Sequence, residues 1–153
     1  MGKEADLVRP RLARGVRCFA VVIDGAIAGY GWLSTGPEWI SELQLEIQPG
    51  KAEAYIWNCV TLAAHRRKGI FRALVVGISQ AAQSTGIKRV WIGSVAIPAE
   101  NALPPAGFRP VANFHTGRLF GLFVMRSSMS REAHHVLPKR ARLYGATLAR
   151  RKH

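Results

Sequence analysis

Residues Tyr55 to Leu74 read YIWNCVTLAAHRRKGIFRAL. The first part, Tyr55 to Leu62, is dense in aromatic and β-branched side chains, which fit a pleated surface, so a buried strand is expected. The second part is a basic turn, HRRKG, leading directly into an apolar-periodic segment. A helix that starts there leaves the N–H groups of Arg67 to Phe71 without intrahelical acceptors. Those groups and the positive end of the macrodipole then face whatever lies above the turn. Arg66, Arg67, Lys68 and Arg72 add four formal charges. Strand, basic turn and helix start make an anion site that suits two phosphates better than one carboxylate.

The rest of the chain is read outward from this stretch. Its 153 residues, 48% of them hydrophobic, suffice for one domain with a sizeable core. Lys and Arg number 22 against 9 Asp and Glu, a formal net charge of +13 that draws anionic ligands and polyanions without naming one. Cys18 and Cys59 both lie in strand-like runs, a pattern of neither a disulfide framework nor a metal site, and no metal is expected. The apolar runs Cys18 to Ile23 and Leu119 to Met125 are too short for a signal-peptide core or a membrane span, so a soluble, cytoplasmic protein is expected.

Before the central stretch, Val8 to Gly15 reads as the end of a helix or a loose lead-in. Arg17 to Ile23 and Ala26 to Ser34 form a hairpin, because Asp24-Gly25 supplies the positive φ angles of a two-residue turn. Ser41 to Ile47 alternates, Leu43, Leu45 and Ile47 against Glu42, Gln44 and Glu46, and is expected as a half-exposed strand that Glu53 to Leu62 follows antiparallel. After it, Ile70, Leu74, Val75, Ile78 and Ala82 recur at helical spacing, and Gly86 ends a helix of roughly Gly69 to Thr85. Arg89 to Val95 is a strand, and Pro98 to Pro105 a loop or brief helix. Val111 to Phe114 and Leu119 to Met125 are a final strand pair separated by His115 to Arg118. The composition shifts after Met125: residues 126–153 hold eight of the 22 basic side chains and one acid, Glu132. Short helical stretches, Ala133 to Leu137 and Ala141 to Leu148, are split there by Pro138. The expected division is residues 1–126 as the main domain and 127–153 as a basic C-terminal tail or helix.

In this order of elements the chain resembles the GNAT superfamily of acyl-CoA-dependent N-acetyltransferases, over about Arg17 to Met125. Arg66-Arg67-Lys68-Gly69-Ile70-Phe71 matches the family's pyrophosphate motif, (Q/R)xxGx(G/A), at its Arg and first Gly, with Phe71 in place of the last small residue. Cys59, Val60, Thr61 and Leu62 stand where the family's fourth strand offers backbone groups to the pantetheine arm. Asn101 with Gly107-Phe108 resembles the Asn and terminal Gly-Phe after its fifth strand. The resemblance implies an α/β (α+β) fold: a mixed, mostly antiparallel central sheet with flanking helices, its N-terminal part shortened. It also implies acetyl-CoA as acyl donor, bound through Cys59 to Leu62, Arg66 to Arg72 and Asn101. The linker Ala102 to Ala106 is shorter than in the family and lacks the Tyr that often protonates the departing thiolate. Either Asn101 is not the equivalent residue, or the thiolate is protonated by water or another side chain. The short N-terminus leaves part of an acceptor pocket missing or contributed by a second subunit, as in a homodimer.

An amine with a pKa near roughly 10.4 must lose a proton before attacking a thioester, commonly to a carboxylate. Glu42 and Glu46 are the candidates favoured here, with solvated side chains on an exposed strand face as the competing reading; Glu53 also borders the cleft. A backbone N–H near Cys59 or Val60 could hold the developing oxyanion. Cys59 itself reads as a buried small hydrophobe, since no His or acid stands at an activating spacing. Tyr55 and Trp57 alternate onto one face as core or as tunnel lining. The basic tail is a solvated segment or a contact for nucleic acid or an acidic partner. An N-acetyltransferase acting on a primary amine is the leading reading. A GNAT-like module that binds CoA or a polyanion without turnover is the alternative.

Overall fold

The computed structural model describes residues 4–95, 97–120 and 122–136. It divides into two units, Met1–Gly36 with Lys51–Arg109, and Pro37–Gly50 with Pro110–His153. The first unit is built on a sheet of four strands. β1 (Arg17–Ile23) and β2 (Ala26–Ser34) form the hairpin that Asp24-Gly25 announces, with φ of 50° and 77° at the two turn residues. Within the same unit the chain returns as β5 (Glu53–Thr61), antiparallel to β2, and β6 (Arg89–Ile92) lies parallel to β5, giving the order β1-β2-β5-β6.

Helix α2 (Ile70–Ser84) buries Ile70, Leu74, Val75, Ile78 and Ala82, the stripe expected from the periodicity. Leu74, Ile78 and Ala82 pack with Leu33, Ala54 and Ile56 of the sheet, and Phe19, Val21, Val90, Ile92 and Phe108 close the margins of that core. Helix α1 (Ala5–Ala13) is the helical reading of the lead-in, with Pro10 inside it. Its Val8 packs with Val16, Tyr30 and Trp32. Trp32 and Leu33 are consecutive strand residues and point to opposite faces, so α1 and α2 cover opposite sides of the sheet. Gly31 permits the close approach of α2: a Cβ there would stand 2.8 Å from Cys59 Sγ and 3.2 Å from Ile78 Cδ1. After β6 come a single helical turn, α3 (Ile97–Glu100), and a 3-10 turn at Pro104–Ala106 that ends in Gly107 at φ 89°. This agrees with the expected brief helix, whereas the strand before it stops at Ile92 rather than Val95.

The second unit corrects several expectations. Ser41 to Ile47 is not one strand: β3 (Glu38–Ile40) and β4 (Leu45–Ile47) form a hairpin around residues 41–44. Gln44 adopts φ 49°, and the Leu43 N–H donates to the Ile40 carbonyl at 3.2 Å, so the alternation is interrupted by a turn. β3 and β4 form their own sheet, and β5 pairs with β2 and β6 instead of with the segment before it. β7 (Ala112–Leu119) and β8 (Leu122–Met129) are a second hairpin. His115 to Arg118, expected as the connection, lies within β7 opposite Phe123 to Arg126, and the chain reverses beyond Leu119, where Phe120 has φ 48°. β8 runs past residue 126, and a 3-10 turn at Arg131–Ala133 follows it. The expected helical stretch Ala141 to Leu148 lies outside the described residues. Among the described residues no helix is long and apolar enough to cross a membrane.

Candidate functional site

The basic turn is built in three steps. Leu62 is extended, a 3-10 turn at Ala63–His65 follows, and the Arg66 N–H donates to the Ala63 carbonyl at 3.3 Å. Arg67 and Gly69 then take left-handed conformations, φ 60° and 75°, which swing the chain into α2. The Ala73 N–H reaches the Gly69 carbonyl at 2.9 Å, so the amides of Ile70, Phe71 and Arg72 precede the first bond of the helical ladder. No side chain among the described residues caps them. Arg66, Arg67, Lys68, Gly69 and Arg72 are exposed. A Cβ added to Gly69 would meet nothing within 4 Å among the described residues, so the turn is open at that point. The first amides and the positive end of the macrodipole of α2 thus lie at an exposed turn that carries four cations.

Beside this turn the sheet splays. β5 and β6 are paired only from Glu53 opposite Arg89 to Ile56 opposite Ile92, while β5 continues to Thr61. Its stretch Trp57 to Thr61, which includes Cys59, Val60 and Thr61, thus has one edge without a β6 partner. On the β2 side, Trp57 is opposite Trp32 and Val60 opposite Tyr30, leaving Asn58 and Cys59 to share Gly31. Asn58 has φ 46°. This is a bulge, and a bulge bends its strand and raises the local twist, which accounts for the parting of β5 from β6 at this level. Thr61 Oγ1 is buried without a hydrogen-bond partner among the described residues. Leu62 has its backbone in use, its N–H donating to the Ala28 carbonyl and its carbonyl accepting from the His65 N–H, each at 2.9 Å; its side chain is exposed.

The other residues singled out in the sequence fall as follows. Ile70 is buried and offers only its amide to the turn, while Phe71 is half-buried. The Cys59 thiol packs toward α2 beside Gly31, and burial pushes its pKa up to about 12, as expected of an inert small hydrophobe. Tyr55 and Trp57 lie on the α1 side, where Trp57 packs beside Trp32. Asn101 is exposed just past α3. Glu53 is buried and accepts from Arg89 Nη1 at 3.1 Å and Trp91 Nε1 at 2.8 Å. Glu42 and Glu46 belong to the second unit and do not share a strand face: Glu42 is in the turn at residues 41–44, where its Oε2 accepts from Ser41 Oγ at 3.2 Å, and Glu46 is exposed on β4. Glu42 lines a cleft of about 350 Å³ within that unit, together with Ser41, Gln44, Thr116, Arg118 and Phe123.

One cluster escapes sequence reading. Glu4, at the start of α1, accepts through Oε2 from Asn58 Nδ2 at 2.8 Å and Tyr30 Oη at 3.3 Å, with Arg11 Nη1 at 3.8 Å. The Arg11 guanidinium stacks over Trp57 and Trp32, 4.5 and 4.9 Å from the ring centroids. Burial raises the Tyr30 phenol above its ordinary value, and the Glu4 charge adds to the effect. These partners stand 26 and 54 residues from Glu4, separations that carry no local signal.

The family model described as the acetyltransferase (GNAT) family matches residues 3–104. Among solved structures, the chain is similar to an acetyltransferase of Trypanosoma brucei, at 22% identity over 75% of each chain, with a TM-score of 0.50. It is also similar to the aminoglycoside N-acetyltransferase AAC(6')-Iy in complex with CoA, at 13% identity over 71% of this chain and 85% of that one, TM-score 0.51. A transcriptional regulator from Bacillus halodurans C-125 aligns at 18% identity over 68% and 69% of the two chains, TM-score 0.52. At such identities the likeness is one of fold. No curated protein matches. The family match, unlike the structural ones, is carried by sequence and runs through more than half of the chain, across both the basic turn and the splayed strands, and the chain therefore belongs to the GNAT family of acetyltransferases.

Proposed function

We propose that the protein transfers an acetyl group from acetyl-CoA to a primary amine by direct attack of the amine on the thioester. Family membership implies acyl transfer from acetyl-CoA; the amine acceptor and the residue roles are our reading. The observation that carries it is the uncapped start of α2, preceded by Gly69, where a Cβ would meet nothing within 4 Å, and flanked by Arg66, Arg67, Lys68 and Arg72. A diphosphate there accepts hydrogen bonds from the amides of the turn and of Ile70 and Phe71. The pantetheine arm runs along the free edge of β5 past Leu62, Thr61, Val60 and Cys59, where Thr61 Oγ1 has hydrogen-bonding capacity to spare. Asn101 follows β6 and α3 and contacts the donor from the opposite strand of the splay.

Chemically, the free amine nitrogen attacks the thioester carbonyl carbon. The developing oxyanion is held by a backbone N–H at Cys59 or Val60, and the C–S bond breaks as the thiolate gains a proton. A carboxylate takes the ammonium proton. Two measurements test the function together: the thermal stabilisation of the protein by acetyl-CoA, and thiol release from acetyl-CoA in the presence of alkylamines. Both are expected. Stabilisation with no thiol release would make the protein a CoA-binding module without turnover, and absence of both would overturn the proposal.

A further inference from the structure

On the α1 side of the sheet a carboxylate is held at the place where β5 leaves β6. Asn58 is the bulged residue of β5, two positions beyond the last β5–β6 pair, and its left-handed backbone aims its side chain at Glu4 Oε2, 2.8 Å away. Such bulges re-aim side chains at functional positions. Tyr30 Oη, on the neighbouring strand, donates to the same oxygen at 3.3 Å. Glu4 Oε1 has no donor among the described residues. The Glu4 side chain is 38% exposed while the adjoining Arg11 side chain is 10% exposed, so the acid is the more solvent-accessible member of the pair. Arg11 is fixed over the two indoles, and its Nη1 stays 3.8 Å from Glu4, beyond hydrogen-bond distance. The bulge thus presents one carboxylate oxygen, oriented by two donors to the other, beside the edge along which the donor arm runs.

We propose that Glu4 is the proton acceptor for the attacking amine, with Asn58 and Tyr30 as the residues that position it. The assignment rests on the acyl-transfer reading above. The ammonium gives one proton to Glu4 Oε1, directly or through one water, and the nitrogen lone pair forms the C–N bond to the thioester carbonyl carbon. The tetrahedral adduct collapses, the C–S bond breaks, and the second proton of that nitrogen passes to the thiolate, giving amide and free thiol. Glu4 returns its proton to solvent. The titratable and charged groups around it are Arg11 of α1, Tyr30 of β2 and Cys18 of β1, the last within electrostatic reach of both Tyr30 and Arg11.

The test is Glu4→Gln, which keeps an acceptor oxygen for Asn58 and Tyr30, assayed by thiol release with butylamine, spermidine and lysine, and separately with hydroxylamine, which is largely unprotonated at neutral pH. For whichever alkylamine the wild type acetylates, kcat/KM at pH 7 is expected to fall by about 10²-fold or more, the scale of general-base catalysis. The deficit should shrink as the pH rises toward 10. With hydroxylamine it should be small throughout, and the Tm and its rise with acetyl-CoA should be unchanged. Tyr30→Phe should show a milder form of the same acceptor-dependent pH profile. Equal losses for alkylamine and hydroxylamine at every pH would make Glu4 a structural tie between α1 and the sheet, and overturn the assignment. So would an unchanged rate, or the acceptor-dependent profile appearing in Glu42→Gln or Glu46→Gln instead. A wild type that acetyl-CoA stabilises but that releases no thiol with any nucleophile removes the transferase reading, and this assignment with it.

Discussion

Ile56 and Ile92 are the last paired residues of the parallel ladder between β5 and β6, and β5 runs on to Thr61 paired only with β2. A parallel pair that parts halfway leaves backbone groups on one strand free to pair with a ligand, as they would with another strand. Placed beside the uncapped start of α2, that edge is where we propose the extended acyl donor lies.

Gly69→Trp is expected to abolish the rise in Tm that acetyl-CoA produces, because the indole projects from the turn, where a Cβ meets nothing within 4 Å, into the space proposed for the diphosphate. A left-handed φ costs an L residue about 1–2 kcal/mol, so the ligand-free Tm should fall as well. Gly69→Ala carries that backbone cost without the ring and should retain the acetyl-CoA response. Differential scanning fluorimetry of the two variants separates the effects.

Gly29→Ala is expected to loosen the start of α2. The new Cβ would stand 2.8 Å from the Val60 carbonyl oxygen and 3.0 Å from Ile70 Cγ2, and such overpacking costs about 1–3 kcal/mol. Gly77→Ala, in α2 where a Cβ meets nothing within 4 Å, should instead gain about 0.5–1 kcal/mol of helix stability. Urea denaturation of both variants is the check, and a Gly29→Ala protein as stable as wild type would contradict the packing described.

Cys59 has a thiol pKa raised by burial from 9.0 to about 12. The folded state therefore holds the proton more tightly than the unfolded one. The stabilisation this confers is complete below pH 9 and is lost as the pH rises from there toward 12. Cys59→Ala should be less stable than wild type at neutral pH, and its stability should decline less steeply between pH 9 and 11. Native Cys59 should also resist iodoacetamide at pH 8 under conditions that modify exposed Cys18.

Glu53→Ala should destabilise the first unit by about 1–3 kcal/mol, because it leaves the Trp91 Nε1 and Arg89 Nη1 donors without their carboxylate. Thiol release per folded molecule at saturating acetyl-CoA should stay unchanged. A turnover defect at full folding would give Glu53 a chemical role that its buried pairing does not suit.

Much of this arrangement was legible before any coordinates. Asp24-Gly25 fixes a hairpin because its turn type demands positive φ, and the spacing of Ile70, Leu74, Val75, Ile78 and Ala82 fixes the buried face of α2. Gly69, between the basic run Arg66 to Lys68 and an apolar stripe, marked the start of α2, which begins at Ile70. The misread parts have physical reasons. The LQLEI run has the period of a strand, and nothing in its residue types announces that Gln44 adopts φ 49°. His115 to Arg118 looks like a connection because it is polar and contains Gly117, yet an exposed hairpin strand needs no apolar face. The Glu4–Asn58 contact spans 54 residues and depends on a bulge whose register only the sheet defines.

The central claim is that the backbone from Lys68 to Arg72 receives the diphosphate of the acyl donor, and amide hydrogen exchange with and without saturating acetyl-CoA measures this directly. The expected result is a slowing of about tenfold or more at the amides of Lys68 to Arg72, which have no helical partner of their own, with smaller protection along Cys59 to Thr61. Unchanged exchange in that turn, with acetyl-CoA bound and protection appearing elsewhere, would contradict it.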